Sequence, residues 1–210
     1  MTGAVAQLLT LPLDPGTTTG DASGPGRESA EIHEWLTLAR AGDQAAFGRL
    51  VDAYQRIAFR TALSALGRRE DAEEIAQEAF LLAWRKLGSF RGDSTFRTWL
   101  LTIVWRRALD RRRVRLLWWK RTVTHREGGV FDDVPGDEAT PERATVARDT
   151  VRRARLAIAR LSPTLRDTLL LASSGEHTYE QIAAMLRTPV GTIKWRVAEA
   201  RRIVSAKLDE

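Results

Sequence analysis

A chain of 210 residues has room for one or two domains, and 43% hydrophobic with 29% charged residues is ordinary for a globular protein. Its 33 Lys and Arg outweigh 27 Asp and Glu, and the formal net charge of +6 suits nucleic acid, an anionic membrane surface or simple solubility. The absence of cysteine excludes disulfides, thiol catalysis and thiolate metal sites, and fits a reducing cytoplasm. No apolar run approaches the roughly 18 residues that cross a bilayer, so no membrane insertion is expected. The mildly apolar start lacks the Lys/Arg of a secretory signal.

Residues 1–30 end in "DPGTTTGDASGPGRESA", where Gly, Thr, Ser and Pro erase any apolar period, and a disordered tail is expected. Helical patterning starts near Glu31 and stops at Gly42. Asp43 is placed to cap the next helix, in which Phe47, Leu50, Val51, Tyr54, Ile57 and Ala58 recur at helical spacing, and Gly67 to end it. "REDAEEIAQEAFLLAWRKLG" is acidic at its start and basic at its end, as the helix dipole favours. After the loop "SFRGDS", Ser94 is the expected cap of a long helix whose buried stripe is Trp99, Leu100, Ile103 and Val104.

The stretch 122–147 changes character. Glu127, Asp132, Asp133, Asp137, Glu138 and Glu142 stand among Gly128, Gly129, Pro135, Gly136 and Pro141, which predicts a flexible acidic linker. Helical patterning resumes over 148–210, with Ser162-Pro163 starting one helix and Gly175 ending it. The expected fold is all-α, two helical domains on a tether.

Near the C-terminus "TYEQIAAMLRTPVGTIKWRVAEARR" holds two helix starts in close succession. Thr178 and Gln181 form a capping box, and Thr188-Pro189 reads as a cap followed by proline at the first helical position. Two helices with so short a turn form a helix-turn-helix or a plain helical hairpin; the former lays its second helix in the major groove. Ile182, Ala183, Leu186, Ile193 and Val197 can make the inner face. Gly191, Thr192, Lys194, Trp195, Arg196, Glu199, Arg201 and Arg202 are left for solvent or DNA, where Lys and Arg neutralise phosphates or read guanine and Glu accepts from cytosine. The turn "LRTP" lacks the glycine common there.

A second basic cluster gathers Arg106, Arg107, Arg111, Arg112, Arg113, Arg115, Lys120 and Arg121. It follows a loop in which Phe90, Phe96, Trp99 and Trp105 lie near Arg91, Arg97 and Arg106. Basic groups follow a phosphate backbone and aromatics stack on unpaired bases; the same residues also suit a solvated face over an aromatic core. Two such surfaces on tethered domains suit a protein that touches two separated DNA sites.

With these motifs in view, the chain resembles RNA polymerase sigma factors of the extracytoplasmic-function type, within the sigma-70 family. "DAEEIAQEAFLLAWRKLGSFRGDSTFRTWL" matches the family's region two, and "TYEQIAAMLRTPVGTIKWRVAEAR" its region four. The resemblance implies a region-two domain over 31–121 and a region-four domain over 148–210. Asp71, Glu74, Gln77, Glu78, Phe80 and Trp84 would dock on the β′ clamp helices of core RNA polymerase. Phe90, Arg91, Gly92 and Asp93 would line a pocket for a flipped base, and with Arg97, Arg106, Arg107, Arg111, Arg112 and Arg113 would recognise and open the −10 element. The helix from Val190 onward, carrying Thr192, Lys194, Trp195, Arg196, Glu199, Arg201 and Arg202, would bind the −35 element, and region four would also touch the β flap. The linker would thread the polymerase channels, or serve only as a tether. An anti-sigma protein is a further expected partner. The chain departs from the pattern at Arg106, where asparagine is common, and at Trp195, where a small residue is common, so no promoter consensus transfers. Trp118 and Trp119 also lie outside the usual pattern; they cover a helix end or meet a partner.

The alternative is a helix-turn-helix regulator that never joins core polymerase, but such a protein has no need of "QEAF…FRGDSTFRTWL". An enzyme is not expected: His33, His125 and His177 lie far apart, no set has metal-ligand spacing, no glycine-rich phosphate loop is present, and no cofactor is implied.

Overall fold

The computed structural model describes residues 29–122 and 141–208. The expected tail, and the linker up to residue 140, lie outside the described residues. Among the described residues the regular structure is helical throughout. The first bundle comprises α1 (Ala30–Arg40), α2 (Gln44–Leu66), α3 (Arg69–Lys86), a 3₁₀ turn (Leu87–Ser89) and α4 (Phe96–Thr122). The second comprises α5 (Pro141–Arg160), α6 (Pro163–Ser173), α7 (Tyr179–Leu186) and α8 (Val190–Leu208).

The caps explain most of these boundaries. Asp43 accepts from the Ala45 and Ala46 N–H groups at 2.8 and 3.1 Å, satisfying two orphan donors of α2. Gly67 closes α2 in the left-handed region at φ 70°, where a side chain would be strained. Thr178 and Gln181 form the expected reciprocal box at the start of α7.

Three expectations shift. Thr95, not Ser94, caps α4: its Oγ1 accepts from the Thr98 N–H at 3.2 Å, while Ser94 Oγ donates to the Thr95 carbonyl. At α8 the cap is Pro189, whose carbonyl accepts from the Ile193 N–H at 3.1 Å; the Thr188 hydroxyl turns back to the Leu186 carbonyl. The linker's last residues are helical, because α5 begins at Pro141 rather than near Arg148. In the turn between α7 and α8, Arg187 takes the left-handed position (φ 50°) that a glycine would fill without strain.

Leu50, Leu66, Ile75, Phe96, Leu100, Leu101 and Trp105 are fully buried in the first bundle. A smaller core of Ala157, Ile158, Leu161, Leu169, Ala200 and Val204 joins α5, α6 and α8. The main core does not stop at the first bundle. It runs on into Leu171, Ala172, Tyr179, Ile182 and Ile193, so α6 and α7 pack against α2 and α4. The two helical domains were legible in the sequence; their contact was not.

Candidate nucleic-acid interface

The α8 face is the simplest to build. Ile193, Val197, Ala200 and Val204 recur at helical spacing and are buried. That phase turns Gly191, Lys194, Trp195, Ala198 and Arg202 outward. Trp195 is 62% exposed, which is unusual for an indole not in contact with a partner. Val190, Thr192, Arg196, Glu199 and Arg201 are half-buried along its edges. Glu199 accepts two bonds from Arg202, both at 2.8 Å, so this arginine is held by its own helix. The hydrogen bond first, and then the charge, push the Glu199 carboxyl below its ordinary value and Arg202 above its own.

The α4 face is more divided. Arg107, Arg111 and Arg115 recur once per turn and point at α3. Arg107 pairs with Glu78 at 2.5 Å, Arg111 with Glu74 at 2.7 Å and Glu78 at 3.3 Å, and Arg115 with Asp71 at 2.9 Å. Rising numbers on α4 meet falling numbers on α3, the pattern of an antiparallel pair. The hydrogen bond from Arg111, then its charge, hold the Glu74 carboxyl below its ordinary range. Arg112 points the other way and pairs with Asp167 on α6. Arg113 is exposed and lies 3.7 Å from Asp110. Arg106 is exposed and makes no ion pair among the described residues.

These contacts bear on two expected sites. Asp71, Glu74 and Glu78, expected to meet the polymerase, are already paired with Arg107, Arg111 and Arg115, of which Arg107 and Arg111 were expected on DNA. Pairing between helices far apart in sequence is not legible from composition. Phe80 lies in the buried stripe Ala72, Ile75, Ala76, Ala79, Phe80 and Ala83, and Trp84 packs on Phe47 with ring centroids 4.9 Å apart. The outward stripe of α3 is instead Glu73, Glu74, Gln77 and Leu81, with Leu81 61% exposed. Leu81 was missed, although the helical period of that buried stripe already turns it to solvent.

The loop before α4 has an aromatic floor and a polar rim. Phe90 and Phe96 are buried, Trp99 is half-buried, and Phe90 lies 5.9 Å from Phe96 and 5.2 Å from Trp99. Phe90, Phe96 and Trp105 are therefore core, and of the four aromatics weighed for base stacking only Trp99 keeps an accessible edge. Arg91, Gly92 and Asp93 are exposed above this floor, with Gly92 at φ 81°. Arg97 turns across the junction and donates to the Glu176 carbonyl at 2.6 Å. Trp118 is exposed; the side chains of Trp119, Lys120 and Arg121 lie outside the described residues.

Among the described residues no group of His, Asp or Glu could hold a metal ion, and no helix is long and apolar enough to cross a membrane. Two helical domains, the second ending in a helix-turn-helix with a basic outward face, define a DNA-binding protein. Residues 50–116 match the Sigma-70 region 2 family, and residues 152–204 match Sigma-70, region 4. The chain is 33% identical over 174 residues to the RNA polymerase sigma-H factor of Pseudomonas aeruginosa, covering 80% of this chain and 88% of that one. It is 30% identical over 180 residues to the ECF RNA polymerase sigma factor SigW of Bacillus subtilis, covering 84% and 96%. The fold is shared with CnrH in complex with the cytosolic domain of CnrY, at a TM-score of 0.59 and 24% identity over 85% of this chain and 97% of that one. The chain belongs to the extracytoplasmic-function sigma factors of the sigma-70 family. Such factors are non-catalytic: they bind core RNA polymerase and direct it to promoters.

Proposed function

We propose that this sigma factor engages core polymerase through the outward stripe of α3, the −10 element through the loop 90–95 and α4, and the −35 element through α8. The observation that carries the reading is the α3 stripe. Glu73, Glu74 and Gln77 lead along the helix to an exposed Leu81, an amphipathic strip that suits a basic helical partner such as the β′ clamp helices and that neither DNA contact needs. At the −10 element Arg91, Gly92 and Asp93 form the rim that receives a flipped base, with the edge of Trp99 beneath it. Stacking and a pocket offset the few kcal/mol that unstacking costs. Exposed Arg106 and Arg113 follow the phosphate backbone, and Arg97 and Arg112 join them once released from the second bundle. At the −35 element Lys194 and Trp195 enter the major groove, with Arg196, Arg201 and Arg202 along the phosphates and Val190, Thr192 and Glu199 at the edges. Linking the two DNA contacts raises the effective concentration of the second. The β flap, an anti-sigma protein and the cytoplasm complete the proposed setting; CnrH, which shares the fold, forms a complex with the cytosolic domain of CnrY.

The test is retention of core RNA polymerase by the full chain and by Leu81→Arg. The full chain is expected to retain it. The variant, equally helical, is expected to lose most of that binding while still binding −35 duplex. Undiminished retention would remove the α3 stripe from the polymerase contact.

A further inference from the structure

Beside the apolar core that the two bundles share runs a polar seam that promoter binding leaves unexplained. At its centre is His177, in the loop between α6 and α7. The residue is 3% exposed, and its Nε2 lies 3.2 Å from Thr61 Oγ1 on α2. Its Nδ1 is buried without a hydrogen-bond partner. An imidazolium needs acceptors for two N–H groups, and this site offers one hydroxyl. Burial first, and then the charge of Arg97, bring the imidazole pKa from 6.5 down to about 3.

The charged groups facing the seam come from every packed element. Arg60 of α2 pairs with the Glu176 carboxylate at 2.8 Å, and Arg97 of α4 donates to the Glu176 carbonyl at 2.6 Å. Arg112 of α4 pairs with Asp167 of α6 at 2.5 Å, their side chains only 8% and 16% exposed. Arg112 Nη1 and Arg166 Nε are buried without hydrogen-bond partners, although Arg166 Nε lies 3.9 Å from the Asp167 carboxylate.

We propose that this seam is a reversible latch, in which the Asp167 carboxylate and the Glu176 backbone carbonyl occupy Arg112 and Arg97 in place of promoter phosphates and protonation of His177 releases them. The proposal rests on the −10 reading of Arg97 and Arg112. The Asp167 carboxylate at Arg112 and the Glu176 carbonyl at Arg97 take guanidinium N–H groups that a phosphate would otherwise use, so closure and promoter contact compete at these two residues. Closure keeps His177 neutral, whereas the hydrated imidazole of the open form titrates normally. The latch is therefore at full strength above about pH 6.5 and weakens as pH falls toward the closed-state value. Between pH 7.5 and 5.5 the loss is roughly tenfold in the closing equilibrium. Arginines and carboxylates ordinarily do not titrate in that window.

The chain has no cysteine, so Gln55→Cys on α2 and Ala184→Cys on α7, both exposed, give clean dye positions on the full-length protein. Energy transfer is expected to fall between pH 7.5 and 5.5, while affinity for a single-stranded −10 oligonucleotide rises up to tenfold. His177→Gln, which cannot gain the proton, is expected to abolish both responses. Arg60→Ala, which removes the pair with Glu176 from the exposed side of α2, is expected to lower transfer already at pH 7.5. Constant transfer across the window, or an unchanged response in His177→Gln, overturns the latch. Separation of the dyes with no change in DNA affinity overturns the competition. Arg97→Ala in the His177→Gln background, whose closure does not change with pH, tests the −10 reading separately: an undiminished affinity for the −10 oligonucleotide at both pH values overturns that reading.

Discussion

Helices α4 and α8 are the two basic helices of this protein, and they use their charge in opposite ways. On α4, Arg107, Arg111 and Arg115 face α3 and meet Glu78, Glu74 and Asp71. On α8, Lys194 and Trp195 face solvent, and the inner face meets Ile182, Ala183 and Met185 of α7, which carry no charge. The difference lies in the neighbouring helix. α3 opens with Glu70 and Asp71 and carries further acids along the side that α4 covers, so three of the α4 arginines are absorbed inside the bundle. Where the helix beneath is apolar, as α7 is under α8, the outward basic face stays exposed; where it is acidic, as α3 is, the arginines that face it are taken up.

The contrast is broken most forcefully by charge reversal. Arg111→Glu would set a carboxylate among Asp71, Glu74 and Glu78 and is expected to lower Tm by roughly 5–10 °C. Lys194→Glu is expected to leave Tm within about 2 °C but to weaken −35 duplex binding about tenfold or more. Lys194→Ala should also reduce the slope of log K against log salt by about one, the signature of one lost phosphate contact. Similar melting temperatures for the two reversals would mean that the α3–α4 ladder is ornamental and that α4 is as free for DNA as α8.

A smaller effect sharpens the reading of α8. Trp195 is the one large apolar side chain on its outward face, and the one apolar feature of the major groove is the thymine methyl group. If the indole lies on such a methyl, replacing single thymines of the −35 site by uracil should weaken binding at one position by about fourfold, the value of roughly one buried methyl. Trp195→Ala should erase that sensitivity. A flat uracil scan with the native tryptophan would place the indole away from the bases.

Much of this fold was legible in the sequence, because helical phase and caps are local. Asp43, Gly67 and the Thr178–Gln181 box stand where the pattern puts them. The errors are also local. Ser94 and Thr95 are both able caps, and only the hydrogen bond to Thr98 separates them. The start of α5 was hidden by a linker rich in acids, Gly and Pro, although Thr140-Pro141 carries the same signal as Ser162-Pro163. The α8 face could be read because one apolar stripe determines everything opposite it. The α4 face could not, since its arginines answer to acids some 30 residues or more away, Arg107 to Glu78 and Arg112 to Asp167. His177 was set aside as a loop residue, and nothing local signals that the loop lands on Thr61.

The smallest expected effect separates a ladder between helices from a pair within one. Glu74 and Glu199 both have carboxyls held below the ordinary 4.5, the first by Arg111 on another helix and the second by Arg202 on its own. A lowered carboxyl contributes stability in full above its unfolded pKa and loses it as pH falls through the folded value. Both contributions should therefore be lost only below about pH 4.5, and salt should blunt both because each pair is open to solvent on at least one side. Glu74→Gln unties α3 from α4 and is expected to flatten the acid limb of the Tm profile measurably. Glu199→Gln breaks a pair that unfolding of the helix only partly separates, and should change that limb less. Its main consequence should appear on DNA, where a released Arg202 gains a phosphate and raises the salt slope of −35 binding by up to one. Equal flattening of the acid limb by both variants would show that α3 and α4 gain nothing from being laced across.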